Sequence, residues 1–310
     1  ALLATNRLDT ILLVAPTVLT SLWHVPWRAA VRQLVLGLLP LLLWEAFALL
    51  YYGFALPNTA YAKLGSGVGA GDLALQGINY LFDSLCRDPL TLGTIFVASA
   101  LVWVADADRR RRAIAVGVAL YLLYVISIGG DFMSGRFLTP VLLASVALLS
   151  SAKLPGRTTM WGAVAVACYL VAAPQSPLYS DTEYIAAAGS ATAHGIADER
   201  GYYYQHTGLL RALAGQPVPD HPWARVGMAF RDVMATGKQR QPLQAGGAIL
   251  LPTETDSAAV AIAGNVGFLG YFAGPQVHIV DLLALTEPLL ARLPAYADTS
   301  WRVGHFRRVL

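Results

Sequence analysis

The chain has 310 residues, of which 56% are hydrophobic and 13% charged, with a formal net charge of +3 and a mean hydropathy of +0.52. A soluble domain usually carries about 25% charged residues. The balance excludes intrinsic disorder, a collagen-like chain, a coiled coil and a nucleic-acid-binding domain, and it points to a membrane protein.

In chain order, six apolar stretches stand out, at about 8–21, 32–53, 89–105, 113–128, 137–151 and 159–173. A helix needs about 20 residues to cross a bilayer. The first, fifth and sixth stretches are short, so flanking polar residues or protein-lined cavities would complete their crossings. The expectation is a membrane α-helical bundle of about six transmembrane helices over residues 1–173, followed by a small extracytoplasmic α/β domain over 174–310. The charge distribution supports the division: residues 1–173 carry 20 charged side chains and the shorter remainder carries 21.

Orientation follows from Lys and Arg in short loops. Arg28 and Arg32, the run Arg109–Arg112, and Lys153 with Arg157 fall on one side if the six spans alternate, and that side is expected to be cytoplasmic. The expected location is thus a bacterial plasma membrane, multi-pass, with the C-terminal domain outside. Alternation also puts residue 1 outside. The chain starts at Ala1 without a Met, a basic leader or a cleavage site, so we expect spans upstream of it. Cys86 and Cys168 are expected to be unpaired thiols, because Cys168 lies within an apolar run.

The second half has no apolar run of membrane length and is broken by Pro174, Pro177, Pro217, Pro219, Pro222, Pro242 and Pro252. Helices are predicted at 183–195 and 224–236, and strands at 247–251, 258–263 and 277–281. A short helix between Gly264 and Gly274 would complete a βαβ-like unit. Gly264, Gly267 and Gly270 lack the G-x-G-x-x-G spacing of a dinucleotide-binding turn, so close packing of helix on strand is the better reason for them.

Four segments carry candidate chemistry. Leu56–Lys63 follows the second span: Asn58 suits a sugar hydroxyl and Lys63 a phosphate, the alternative being a Pro-Asn turn with a snorkelling lysine. Gly129–Arg136 joins the fourth and fifth spans, where Asp131 and Arg136 either close a loop as an ion pair or orient an acceptor hydroxyl and a lipid phosphate. Asp198–Thr207 mixes Tyr202, Tyr203, Tyr204 and His206, a composition that suits stacking on sugar faces or packing at a membrane surface. Trp301–Arg308 offers Arg302 and His305 to an anionic lipid or phosphate, or forms a basic surface helix. No Ser/His/Asp or Cys/His arrangement, HExxH, P-loop or zinc spacing occurs.

The segments Leu56–Lys63, Gly130–Pro140, Asp198–Leu210 and Asp281–Pro294, followed by Trp301–Arg308, resemble in this order the bacterial multi-spanning glycosyltransferases of the GT-C superfamily. The nearest pattern is that of the mycobacterial terminal β-(1→2)-arabinofuranosyltransferase family. The GGDFM-x-x-R and DERxYYY segments are its most specific parts. The resemblance implies transfer of a sugar, such as arabinofuranose, from a polyprenyl-phosphate-linked donor to a cell-envelope glycan acceptor at the lipid bilayer, with no nucleic acid as partner. It places an essential carboxylate in an outer loop upstream of this sequence. Of the residues present, Lys63, Arg136, Arg302 and His305 would hold donor phosphate. Asn58, Tyr202, Tyr203, Tyr204 and His206 would hold acceptor or sugar. Asp131 would act catalytically or bind a divalent metal such as Mg or Mn. The competing readings are a transporter or flippase of lipid-linked sugars and a non-catalytic membrane assembly protein.

Overall fold

The computed structural model describes residues 1–105, 108–152, 154–173, 192–236, 241–252, 258–296 and 301–308. The first helices are α1 Leu2–Asn6, α2 Thr10–Leu22, α3 Trp27–Tyr52, α4 Asn58–Leu64, α5 Ala70–Arg87, α6 Pro89–Ala105, α7 Arg109–Ser127, α8 Thr139–Ser150 and α9 Gly156–Ala172. After them come α10 Glu199–Thr207, α11 Leu209–Leu213, α12 Pro222–Thr236, β1 Leu243–Ala245, β2 Ala248–Leu251, β3 Ala259–Ala263, α13 Gly267–Ala273, β4 Val277–Asp281, β5 Ala295–Tyr296 and β6 Arg307–Arg308. The chain divides into two compact units, one of Ala1–Leu56 with Gly69–Asp181, the other of Pro57–Val68 with Thr182–Leu310.

In the first unit every apolar stretch is helical, but six crossings do not follow. Among the described residues, helix α3 alone has the length and apolar content of a span: 26 residues, a mean hydropathy of 2.1, and only 11% of that window buried. Pro26 starts it, and Gly53, with φ 76°, ends it in a left-handed turn. Helices α5 and α6 bend by 107° at Asp88 and make at most one broken pair. Helices α2 and α8 have 13 and 12 residues, and α6 and α9 have 17 each. At 1.5 Å per residue they fall short of a hydrocarbon layer of about 30 Å. Helix α7 has 19 residues but opens on four arginines. The expectation of about six transmembrane helices is therefore corrected to one clear candidate. Hydropathy counted the apolar residues rightly, but turns and prolines divide them into helices that, α3 apart, do not qualify as clear spans among the described residues.

These helices pack by close approach. Gly117 of α7 touches the backbone of Leu13 in α2, and a Cβ there would collide with it. Tyr121 and Val125 of α7 are fully buried. Asp108 accepts from the Arg110 amide at 2.9 Å and starts α7. Cys86 and Cys168 are free thiols.

The second unit holds a four-stranded sheet of order β1-β2-β3-β4. Strands β1, β2 and β3 pair antiparallel, and β3 and β4 pair in parallel with α13 as the crossover. This is the expected βαβ unit. Ala259, Ala261 and Ala263 alternate inward on β3, and their small side chains let Leu250, Phe230 and Leu269 close a common core. A second small core forms where Ala62 of α4 meets Ala284, Leu290 and Ala291. Of the predicted helix at 183–195, residues 183–191 lie outside the described residues, as does Lys153, and 192–195 form a turn.

Candidate functional site

The Gly129–Arg136 loop lies in the first unit. Gly130, with φ 67°, packs against the Tyr80 ring, and the positive φ turns the chain so that Asp131 faces inward. The Asp131 side chain is 0% exposed, and its Oδ2 lies 2.6 Å from Nε of Arg136, whose side chain is 41% exposed. The loop is fixed from below by α5. The Tyr80 hydroxyl accepts from the Phe137 amide at 3.0 Å, and Ser134 Oγ donates to Asp83 Oδ2 at 2.7 Å. Asp83 Oδ1 accepts from Arg87 at 2.9 Å. The outcome is a half-exposed guanidinium oriented by a buried carboxylate. In this arrangement the Asp131 carboxylate is closed to solvent, whereas the Arg136 guanidinium is open to it.

A second pair borders the first. Arg7 and Asp9 form a two-pronged ion pair, and the Tyr121 hydroxyl donates to Asp9 Oδ2 at 3.0 Å. The Arg7 guanidinium stands 4.4 Å from the centre of the Phe137 ring, and that of Arg136 stands 5.6 Å from the same ring. Sequence reasoning missed Arg7, Asp9, Tyr80 and Asp83. Their signal was present: charged groups are sparse in this half, and such groups are usually paired.

The remaining predicted residues belong to the second unit. Asn58 starts α4 and acts as a clip: its Nδ2 donates to the Thr286 carbonyl at 3.4 Å, and its Oδ1 accepts from Arg292 at 3.0 Å. Lys63 lies in the last turn of α4. Asp281 closes the loop opposite, accepting from the Leu283 and Thr286 amides at 2.9 and 3.0 Å.

Tyr202, Tyr203 and His206 gather around a buried histidine that the sequence reading did not single out. Asp198 caps α10 by accepting from the Gly201 amide at 3.1 Å. The His221 ring lies 4.6 Å from Trp223, 4.8 Å from His206, 5.2 Å from Phe268 and 5.6 Å from Tyr203, centre to centre. His221 is 2% exposed, while Tyr202 at the rim is 37% exposed. Burial, then His206 and Arg225, hold the His221 imidazole below its ordinary value. Its Nδ1 accepts from the Trp223 amide at 3.2 Å, a bond that also requires the neutral ring. Burial, then Glu199, pushes the Tyr203 hydroxyl up to about 12. Tyr204 shares the helix and accepts at its carbonyl from the Gly208 amide at 2.9 Å.

Arg302 Nε donates to the Gly195 carbonyl at 2.6 Å, and its guanidinium lies 3.9 Å from Glu199. His305 is held to the Val303 carbonyl at 3.2 Å. Arg302 therefore braces the start of α10 against the turn before it, whereas the His305 contact is local to its own loop. Among the described residues no three His, Cys, Asp or Glu side chains come together as a metal set. Asp131 is engaged by Arg136, so the residues around it do not fit a metal ion.

Similarity to known proteins bears on these sites. The chain is 27% identical to the terminal beta-(1->2)-arabinofuranosyltransferase of Mycobacterium tuberculosis over 337 aligned positions, which cover 90% of this chain and 51% of that protein. It is 26% identical to the protein of the same name from Corynebacterium glutamicum, over 90% of this chain and 45% of the relative. The chain is a distant relative of these transferases. It spans about half the length of the curated relatives it matches. No family model and no solved structure matches it. Of the segments that carry the resemblance, Gly130–Pro140 holds the buried Asp131 and its half-exposed partner Arg136, and Asp198–Leu210 holds the tyrosines packed on His221.

Proposed function

We propose that the protein is a glycosyltransferase that moves arabinofuranose from a polyprenyl-phosphate donor to a cell-envelope glycan. The observation that carries this reading is the similarity to two arabinofuranosyltransferases across 90% of the chain. The geometry is consistent with it. A lipid-linked donor keeps its phosphate at the membrane surface, and departure of that phosphate is eased by a fixed cation. Arg136 is such a cation, and Asp131 acts by holding it in place. Tyr202, exposed at the rim of the His221 cluster, offers an aromatic face to a sugar ring.

Helix α3 anchors the protein in the bilayer. Arg28 and Arg32 near its start support a cytoplasmic side for that end, which puts Gly53 on the side where this reading has a prenyl-linked donor used.

The test is transfer by the full-length protein from prenyl-phosphate arabinofuranose to an arabinan oligosaccharide, followed by mass spectrometry. Addition of one pentose supports the reading. No addition from this or any other prenyl-phosphate sugar refutes it.

A further inference from the structure

Helix α5 is turned inside out for a protein in water. Its polar side faces the rest of its unit and its apolar side faces away. Gln76, Gly77, Tyr80, Asp83 and Ser84 are buried. Gly77 lies so close to the Ile126 backbone of α7 that a Cβ there would collide with it. Tyr80 and Asp83 hold the Gly129–Arg136 loop through the Phe137 amide and Ser134. On the other side, Leu75, Ile78, Phe82 and Leu85 are between 45% and 64% exposed. Their steps of three and four residues align them as one stripe along the helix. Cys86, a free and exposed thiol, borders it. Asp83, the one charged residue between Leu75 and Cys86, faces inward.

Single apolar side chains on a surface are ordinary, but a contiguous stripe marks a contact. The rest of the unit shows what covers it. Helices α5 and α6 bend by 107° at Asp88, which accepts from the Leu90 amide at 3.2 Å and so starts α6. Beyond the bend, α6 leaves Phe96 75% and Val104 87% exposed. Helix α9 has no buried residue, and α3 is apolar and exposed over the length of a span. A partner protein or a second copy would cover one patch. Apolar sides on α3, α6 and α9 as well as α5 call for one continuous apolar medium, which is an acyl layer. Although 18 residues long, α5 carries Asp72, Asp83 and Arg87 and is not apolar enough to cross that layer by itself. A helix with one apolar side and one polar side lies along the boundary instead.

We infer that α5 lies along the membrane–water boundary, with Leu75, Ile78, Phe82 and Leu85 set in the acyl layer of the bilayer and the Gly129–Arg136 loop carried on its other side. A helix is about 10 Å across, so the loop is held about one helix diameter from the acyl layer. This contact is separate from the transfer reading: it fixes where the loop lies, whatever the loop binds.

The experiment uses the full-length protein in phosphatidylcholine vesicles. Its other cysteines are replaced by serine, and a fluorophore is attached at Cys86, at Leu75→Cys or at Phe82→Cys. All three positions are exposed, so a label costs no core packing. Bromine placed high or low on the acyl chains quenches labels at the matching depth, and iodide quenches labels in water. The expected result is that high bromine quenches all three labels alike, about twofold or more above low bromine or iodide, because such helices sink their apolar side only about 5–10 Å. Leu75 and Cys86 are eleven residues apart, or about 16 Å along the axis. A steady change in depth from Leu75→Cys to Cys86 means that α5 crosses the layer, and overturns the inference. Labels quenched by iodide alone, or by none of the three quenchers, mean that water or protein covers the stripe, and overturn it as well. Depth is read without turnover, so a failure here and a failure of sugar transfer are separate results.

Discussion

The pairing of Asp131 with Arg136 makes a quantitative prediction for Asp131→Asn. The substitution is nearly isosteric, so packing around the fully buried side chain is kept and the charge is removed. At 2.6 Å and an effective dielectric near 20, the bare attraction is about 6 kcal/mol. Desolvation of the carboxylate offsets part of it, and the 41% exposure of Arg136 lets water recover more. A net loss of about 2 kcal/mol remains, within the usual range for removing one partner of a partly exposed ion pair. For a unit of this size that lowers the unfolding temperature by about 4–8 °C. The assay is thermal unfolding of the full-length protein with Asp131→Asn, Arg136→Ala and the double variant, together with transfer rates for each. If the aspartate acts through the arginine, the double variant is no worse than Arg136→Ala in either measurement. Additive losses, or an Asp131→Asn protein as stable as wild type, would refute the reasoning.

Gly130→Ala meets both a positive φ and the Tyr80 ring, and should lose about 2–4 kcal/mol in denaturant unfolding; Gly135→Ala, with φ 70° and open space, should lose about 1 kcal/mol. His221 is held below its ordinary pKa when folded, so the unfolded chain binds the extra proton first. Its contribution to stability is complete above about pH 6.5 and is lost as the pH falls below that, and His221→Gln should flatten this slope in unfolding midpoints measured from pH 7.5 down to 5. Leu39→Asp, at the middle of α3, should weaken membrane attachment by about 3 kcal/mol, read as a shift from pellet to supernatant on fractionation; unchanged partition would exclude α3 as the anchor.

Local pattern carried much of the fold. The strands at 248–251, 259–263 and 277–281 and the helix between the last two follow from alternation bounded by glycines, signals that lie within ten residues of their consequence. Membrane crossing did not follow in the same way. Counting apolar residues finds helices such as α8, but the left-handed Gly135, the turn at 136–138 and Pro140 set where α8 begins and leave it 12 residues long. The hydroxyl-rich and charged site residues were visible because ionisable groups are rare among apolar ones. Their partners were not. Asn58 meets Arg292, and Arg308 meets Ala62, across more than 200 residues of sequence, and no periodicity reports such pairs. His221 was hidden for the opposite reason: one histidine beside a proline reads as a turn until Tyr203, Trp223 and Phe268 close over it.

The central claim is sugar transfer aided by a fixed cation, and one measurement addresses it: the rate of pentose addition to an arabinan oligosaccharide by full-length wild type and Arg136→Ala, with prenyl-phosphate arabinofuranose in excess. The account predicts addition by the wild type and a loss of about a hundredfold in the variant, the scale for removing one electrostatic contact to a departing group. Equal rates in the two proteins, or no addition by the wild type, would contradict it.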